Sequence, residues 1–170
     1  PARLGDCARC AAWLKRYLSR LGFRAEIVLA GDQPLVIAER AGADHAPTVL
    51  FYGHYDVQPA DPLELWDTPP FEPVQVDDRV HARGAQDNKG QFFAFLAGVA
   101  ALIESGTPLP TLRILLDSQE ESGSQALHQA LPGLRRRLAA HILLVGDTGM
   151  HASGRLAITA GLRGLSHLTV

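Results

Sequence analysis

Cysteine is scarce in this chain: Cys7 and Cys10 are the only two in 170 residues. Two thiols cannot build a disulfide framework for a chain of this length, which excludes the stapled secreted scaffolds and makes the cytoplasm the expected location. Long apolar runs are missing too. The longest, Phe92 to Ile103, contains Gly98 and falls short of the roughly 18 residues a membrane span needs, so no membrane partner is expected. Excess charge of one sign is also lacking, with 16 Lys and Arg against 18 Asp and Glu and a formal net charge of -2. The field that draws proteins onto nucleic acid is therefore absent, and no nucleic-acid partner is expected. Arg135-Arg136-Arg137 is the one basic run, read as a solvated helix face. No internal repeat or low-complexity segment stands out. The sequence opens at Pro1 with neither an initiator Met nor a basic-then-apolar leader, so the expectation is a fragment of a longer product.

What is present is hydrocarbon enough for one packed interior: 46% of residues are apolar and 20% charged, at a length that suits a single domain. Cys10, Trp13, Leu14, Tyr17, Leu18 and Leu21 recur at steps of three and four and predict an amphipathic helix from about Asp6 to Leu21, ended by Gly22. Cys7 and Cys10 sit on it as a lone C-x-x-C, for which ordinary packing is favoured over a redox or metal role. Strands are expected at 25–30, 35–39 and 48–52. A loop-rich stretch from Gly53 to Gly90 follows, with a possible hairpin at Asp77-Asp78. The remainder reads as a buried helix over about 88–104, a strand at 111–116, helices near 122–131 and on to 140, and strands at 141–145 and 156–159. This alternation implies an α/β fold with helices on both faces of a sheet, where ligands gather at the carboxyl ends of strands.

The acidic and histidine residues of interest stand just past those strand ends. His54 and Asp56 follow Val49-Leu50-Phe51-Tyr52. In extended chain, residues two apart share a side, so the carboxylate can hold one ring nitrogen and leave the other for a metal. A surface turn is the alternative. Asp87 precedes the long helix and could be an N-cap or a ligand. Glu120 and Glu121 follow the 111–116 strand. A buried pair of carboxylates there would demand a cation, whereas an exposed pair would merely open a helix. Asp147 follows the 141–145 strand, as a turn former or as a ligand. Together these positions suggest a metal centre built from imidazole and carboxylates without thiolate, a set compatible with zinc, manganese or cobalt.

Gly53-His54-Tyr55-Asp56-Val57-Gln58-Pro59, Trp66, Pro70-Phe71-Glu72-Pro73, Arg83-Gly84-Ala85-Gln86-Asp87-Asn88-Lys89-Gly90 and Glu120-Glu121-Ser122-Gly123-Ser124 resemble the di-zinc exopeptidases of the aminoacylase, carboxypeptidase G, succinyl-diaminopimelate desuccinylase and carnosinase family, peptidase family M20. Order and spacing both agree: 33 residues from His54 to Asp87, 33 more to Glu120, and 26 from Glu121 to Asp147. The resemblance implies a zinc-exopeptidase-like three-layer α/β sandwich with a mixed, mostly parallel sheet. It makes His54, Asp87 and Asp147 ligands of one zinc, with Asp87 bridging to a second zinc held by Glu121. Asp56 then orients His54, and Glu120 is the general base. It also implies a cis peptide at Asp87–Asn88. Residues 1–164 would be the first part of the catalytic domain and 165–170 the start of a lid and dimerisation domain, through which the full-length protein forms a homodimer. A final histidine ligand of the second zinc has no counterpart in this chain, so the chain alone is expected to be inactive. His151 is a possible recruit to an incomplete site.

Amide hydrolysis at neutral pH needs a strong nucleophile. Metal coordination lowers the pKa of water from 15.7 to about 7, worth roughly 12 kcal/mol, which no single side-chain base supplies. Val57-Gln58-Pro59 and Asp87-Asn88-Lys89-Gly90 look most like the dipeptidase branch. A small peptide is therefore the favoured substrate, with an N-acyl amino acid, or a non-catalytic metal-binding remnant of the fold, as the alternatives.

Overall fold

A computed structural model of the chain describes residues 4–149, 153–155, 157–159, 161–162, 164 and 166. The first element, α1 (Leu4–Arg20), buries Ala11, Leu14 and Leu18 along one stripe, the three- and four-residue spacing that the sequence carries. It closes at Gly22, whose φ of +81 is a conformation open to glycine, and the Phe23 N–H returns to Leu18 O (3.1 Å). Cys7 and Cys10 are unpaired and pack against the core beside this stripe.

Strands β1 (Arg24–Ala30), β2 (Gln33–Arg40), β3 (Thr48–His54), β6 (Thr111–Asp117) and β7 (Ile142–Val145) form one sheet in the order β1-β2-β6-β3-β7. β3 is parallel to β6 and β7, while β1–β2 and β2–β6 are antiparallel, so the sheet is mixed. The expected hairpin is present as β4 (Val74–Val76) paired with β5 (Arg79–His81) around Asp77. α2 (Lys89–Glu104) and α1 cover one face, where Phe51, Phe92, Leu96, Val99, Ile114 and Leu116 join α1's stripe. α3 (Gln125–Leu138) covers the other, with Leu127, Leu134 and Leu138 on Leu35, Ile37 and Leu115. The result is three layers, helix on sheet on helix.

Three expectations need correction. The two helices expected between 122 and 140 are a single helix, α3, with Pro132 inside it; its amphipathic stripe packs on the sheet continuously and outweighs the proline. Residues 157–159 carry no strand. α2 is apolar almost throughout but buries only the face of Phe92, Leu96 and Val99, leaving Phe93 and Leu102 exposed. His151 lies outside the described residues, as does the expected lid segment 165–170 apart from Ser166. No helix among the described residues is long and apolar enough to cross a membrane.

Candidate metal centre

His54 is the last residue of β3 and pairs in register with Asp117, the last of β6. The chain leaves both strands at the same rim, and the polar groups collect there. The imidazole is fully buried. Its Nε2 lies 2.9 Å from Asp87 Oδ1, 3.6 Å from Asp147 Oδ2 and 3.7 Å from Glu120 Oε2. Donor atoms of His54, Asp87 and Asp147 all fall within 4.8 Å of one another, a group able to hold a metal ion. On the other side of the ring, Nδ1 sits 3.2 Å from Asp56 Oδ1 but out of line for a hydrogen bond. Burial opposes protonation of His54, yet the adjoining Asp56, Glu120 and Asp147 carboxylates outweigh it and push the imidazole up to about 9.

Each donor is placed by its own segment. Asp87 ends the loop before α2, and the Asp87–Asn88 peptide is cis. Asp87 is not the N-cap of α2; Asn88 holds that position and its side chain makes no cap bond. Asn88 is fully buried. Its Oδ1 accepts from the His54 N–H (3.0 Å), and its Nδ2 donates towards Gln91 Oε1 (2.7 Å), Gly146 O and Asp147 Oδ1 (3.2 Å). Lys89, next along, donates to Tyr55 O (2.6 Å) and ties α2 to the exit of β3; burial lowers its pKa.

Glu120 and Glu121 lie in a single 3-10 turn, Glu120–Ser122, between β6 and α3. Asp56 fixes that turn directly, its two oxygens accepting from the Glu120 and Glu121 N–H groups at 3.1 Å each. Glu121 does not join the group around His54: its Oε2 accepts from Gln58 Nε2 (2.9 Å), which also bonds Glu121 O (3.0 Å). Burial, reinforced by Asp147, Glu121 and Asp56 and opposed by His54, raises the Glu120 carboxyl pKa. The geometry thus joins His54, Asp56, Asp87, Glu120 and Asp147 and sets Glu121 one contact further out. Roles for Asn88, Gln58 and the buried Asp117, which accepts from the Gln119 N–H (3.1 Å), escaped the sequence reading. The first two stand inside the quoted motifs, but nothing local reveals their partners.

An imidazole and carboxylates converging at the carboxyl ends of strands in a three-layer α/β sandwich form a donor set able to hold a divalent metal ion. The chain belongs to the family described as Peptidase family M20/M25/M40, whose profile matches residues 50–163. It is 34% identical over 167 residues to human Beta-Ala-His dipeptidase, covering 90% of this chain and 33% of that protein. It is 38% identical over 136 residues to succinyl-diaminopimelate desuccinylase of Acidovorax ebreus (strain TPSY), covering 73% and 34%. Among solved structures, an M20 family metallo-carboxypeptidase, Sso-CP2 from Sulfolobus solfataricus, superposes with a TM-score of 0.81 at 32% identity, covering 88% of this chain and 34% of that one. The chain therefore spans about a third of the length of these relatives.

Proposed function

We propose that the protein carrying this chain hydrolyses the peptide bond of dipeptides or similar small amides in a metal-dependent reaction. The observation that carries the reading is the convergence of His54, Asp87 and Asp147 donor atoms within 4.8 Å of one another, with Glu120 3.7 Å from the same imidazole nitrogen. The donor set fits the group. Borderline nitrogen and hard oxygen ligands suit zinc, with manganese or cobalt as substitutes, and the buried imidazole turns Nε2 to the carboxylates and Nδ1 towards Asp56, 3.2 Å away, the side on which metal-ligating histidines keep an orienting carboxylate. His54, Asp87 and Asp147 would hold one zinc, and Asp87 with Glu121 a second. When bound, such a pair activates water and polarises the scissile carbonyl.

This chain's own residues do the rest. Glu120, off the ligand group but against it, accepts the proton of the attacking water and hands it to the leaving amine, and its raised pKa makes it the better base. Asp56 holds the Glu120 and Glu121 backbone in place and flanks His54. In the whole protein we expect a lid and dimerisation domain, beginning about residue 165, and a further histidine ligand to complete the site, with the subunits paired as a homodimer. The two unpaired cysteines support a cytoplasmic setting.

The similarity to Beta-Ala-His dipeptidases favours dipeptides, and that to a succinyl-diaminopimelate desuccinylase keeps N-acyl amino acids as the second reading. Assays of the purified protein on beta-Ala-His, on other dipeptides and on N-succinyl-diaminopimelate decide between them. We expect chelator-sensitive dipeptide turnover that drops by about 10²- to 10⁴-fold in Glu120→Gln. Turnover unaffected by both chelator and Glu120→Gln would refute the proposal.

A further inference from the structure

The β3–β7 ladder ends at Tyr52↔Val145, with one more bond from the Gly146 N–H to Tyr52 O (3.1 Å). His54 and Asp147 both lie beyond it, so strand pairing does not fix their separation. Asn88 spans that gap. Its Oδ1 takes the His54 N–H, and its Nδ2 reaches Gly146 O and Asp147 Oδ1 on the opposite chain. Gln91 completes the arrangement, accepting from Asn88 and donating to Thr148 O (2.9 Å). The chain leaves room for this: a Cβ at Gly53 would come within 2.7 Å of Asn88 Oδ1.

We propose that Asn88 is a positioning residue of the metal centre, one buried amide that sets the His54 backbone and the Asp147 carboxylate at their mutual distance before any ion arrives. The inference rests on the metal reading above. A buried primary amide is costly unless its hydrogen bonds are made. Here its carbonyl and two of its three acceptors are committed to segments that deliver ligands, and the third, Gln91, ties it to the stretch behind Asp147. Partners that orient ligating groups in this way are worth about 10- to 100-fold in metal affinity.

The test is zinc affinity of the purified protein, measured by competition with a chromophoric chelator well below the unfolding temperature, with circular dichroism to establish that each variant is folded. Asn88→Ala removes both halves of the bridge and is expected to weaken zinc binding about 10- to 100-fold. Asn88→Asp keeps an acceptor for the His54 N–H and is expected to fall between Asn88→Ala and wild type. In an Asp147→Ala background the Asn88→Ala penalty should shrink to about threefold or less, because much of its target is gone; a purely structural asparagine would give the same loss in both backgrounds. Wild-type affinity in whichever variants fold, or an undiminished loss in the Asp147→Ala background, would overturn the inference alone. Failure of the wild-type protein to bind zinc would overturn the metal reading and this inference with it.

Discussion

Without metal, the stability of this domain should fall as the pH rises from 6.5 to 8.5, and His54 should be the cause. The imidazole is fully buried, and its pKa is pushed up to about 9 by the carboxylates around it. Against an ordinary value near 6.5 this is a gap of roughly 2.5 pH units, worth about 3 kcal/mol. The folded state binds the proton more tightly than the unfolded chain, so the contribution is fully present below pH 6.5 and vanishes as the pH passes 9. About 2 kcal/mol should be gone by pH 8.5. That window isolates His54 from the thiols of Cys7 and Cys10 and the phenols of Tyr52 and Tyr55. Burial raises all four of these groups from ordinary values of 9.0 and 10.0, so they act only at higher pH. Urea denaturation in the presence of a chelator, repeated at half-unit steps from pH 6 to 8.5, gives the slope directly. His54→Gln should flatten it. A metal-free wild-type protein whose stability is level or rising across this window would refute the argument.

Asp56→Ala should destabilise the metal-free protein by about 3 kcal/mol, because it removes a partly buried carboxylate that accepts two backbone N–H groups. Amide hydrogen exchange at Glu120 and Glu121 should accelerate selectively, and unchanged protection there would count against the clamp. Gly146→Ala should cost about 1–3 kcal/mol by overpacking. Its Cβ would meet Phe51 Cζ at 2.5 Å, and Phe51 is held by stacking on Phe95 with centroids 4.0 Å apart. Thermal melts read this, and an unchanged Tm would show that Phe51 has room to move.

Most of the strands and helices are legible because their signals are local. The α1 stripe announces its period, the short apolar run of β3 is rich in strand formers, and the hairpin at Asp77 has its turn residues in place. At Pro132 a non-local term outweighs the local signal: α3 runs through the proline because Leu127, Leu134 and Leu138 share one face on the sheet. Within the site, His54, Asp56, Glu120, Glu121 and Asp147 are legible as donors at or past strand ends and Asp87 as the residue ahead of a helix, and the motif spacing groups them. Asn88 and Gln58 are not, since an amide has no distinguishing chemistry until its partners are known, and the partners that matter, His54, Gly146 and Asp147 for Asn88 and Glu121 for Gln58, lie 34 to 63 residues away.

The electrostatics of the rim tie this donor group to folding. Asp56, Asp87, Glu120 and Asp147 each bring an oxygen within 3.7 Å of one imidazole, and a single proton on His54 offsets only one of their charges. Without a metal the cluster is therefore self-repelling. A divalent cation bound there would relieve that repulsion and compete with the His54 proton for the same nitrogen, so uptake of metal would release a proton and weaken as the pH falls. A metal held by the folded state alone would, at a hundredfold excess over its dissociation constant, add about 2.7 kcal/mol to stability. Saturating zinc should accordingly raise the stability of the domain and abolish its decline between pH 6.5 and 8.5, since the ligated imidazole no longer titrates there. A decline of the same slope with and without zinc, measured by the same denaturation series, would mean that His54 is not the residue the ion occupies.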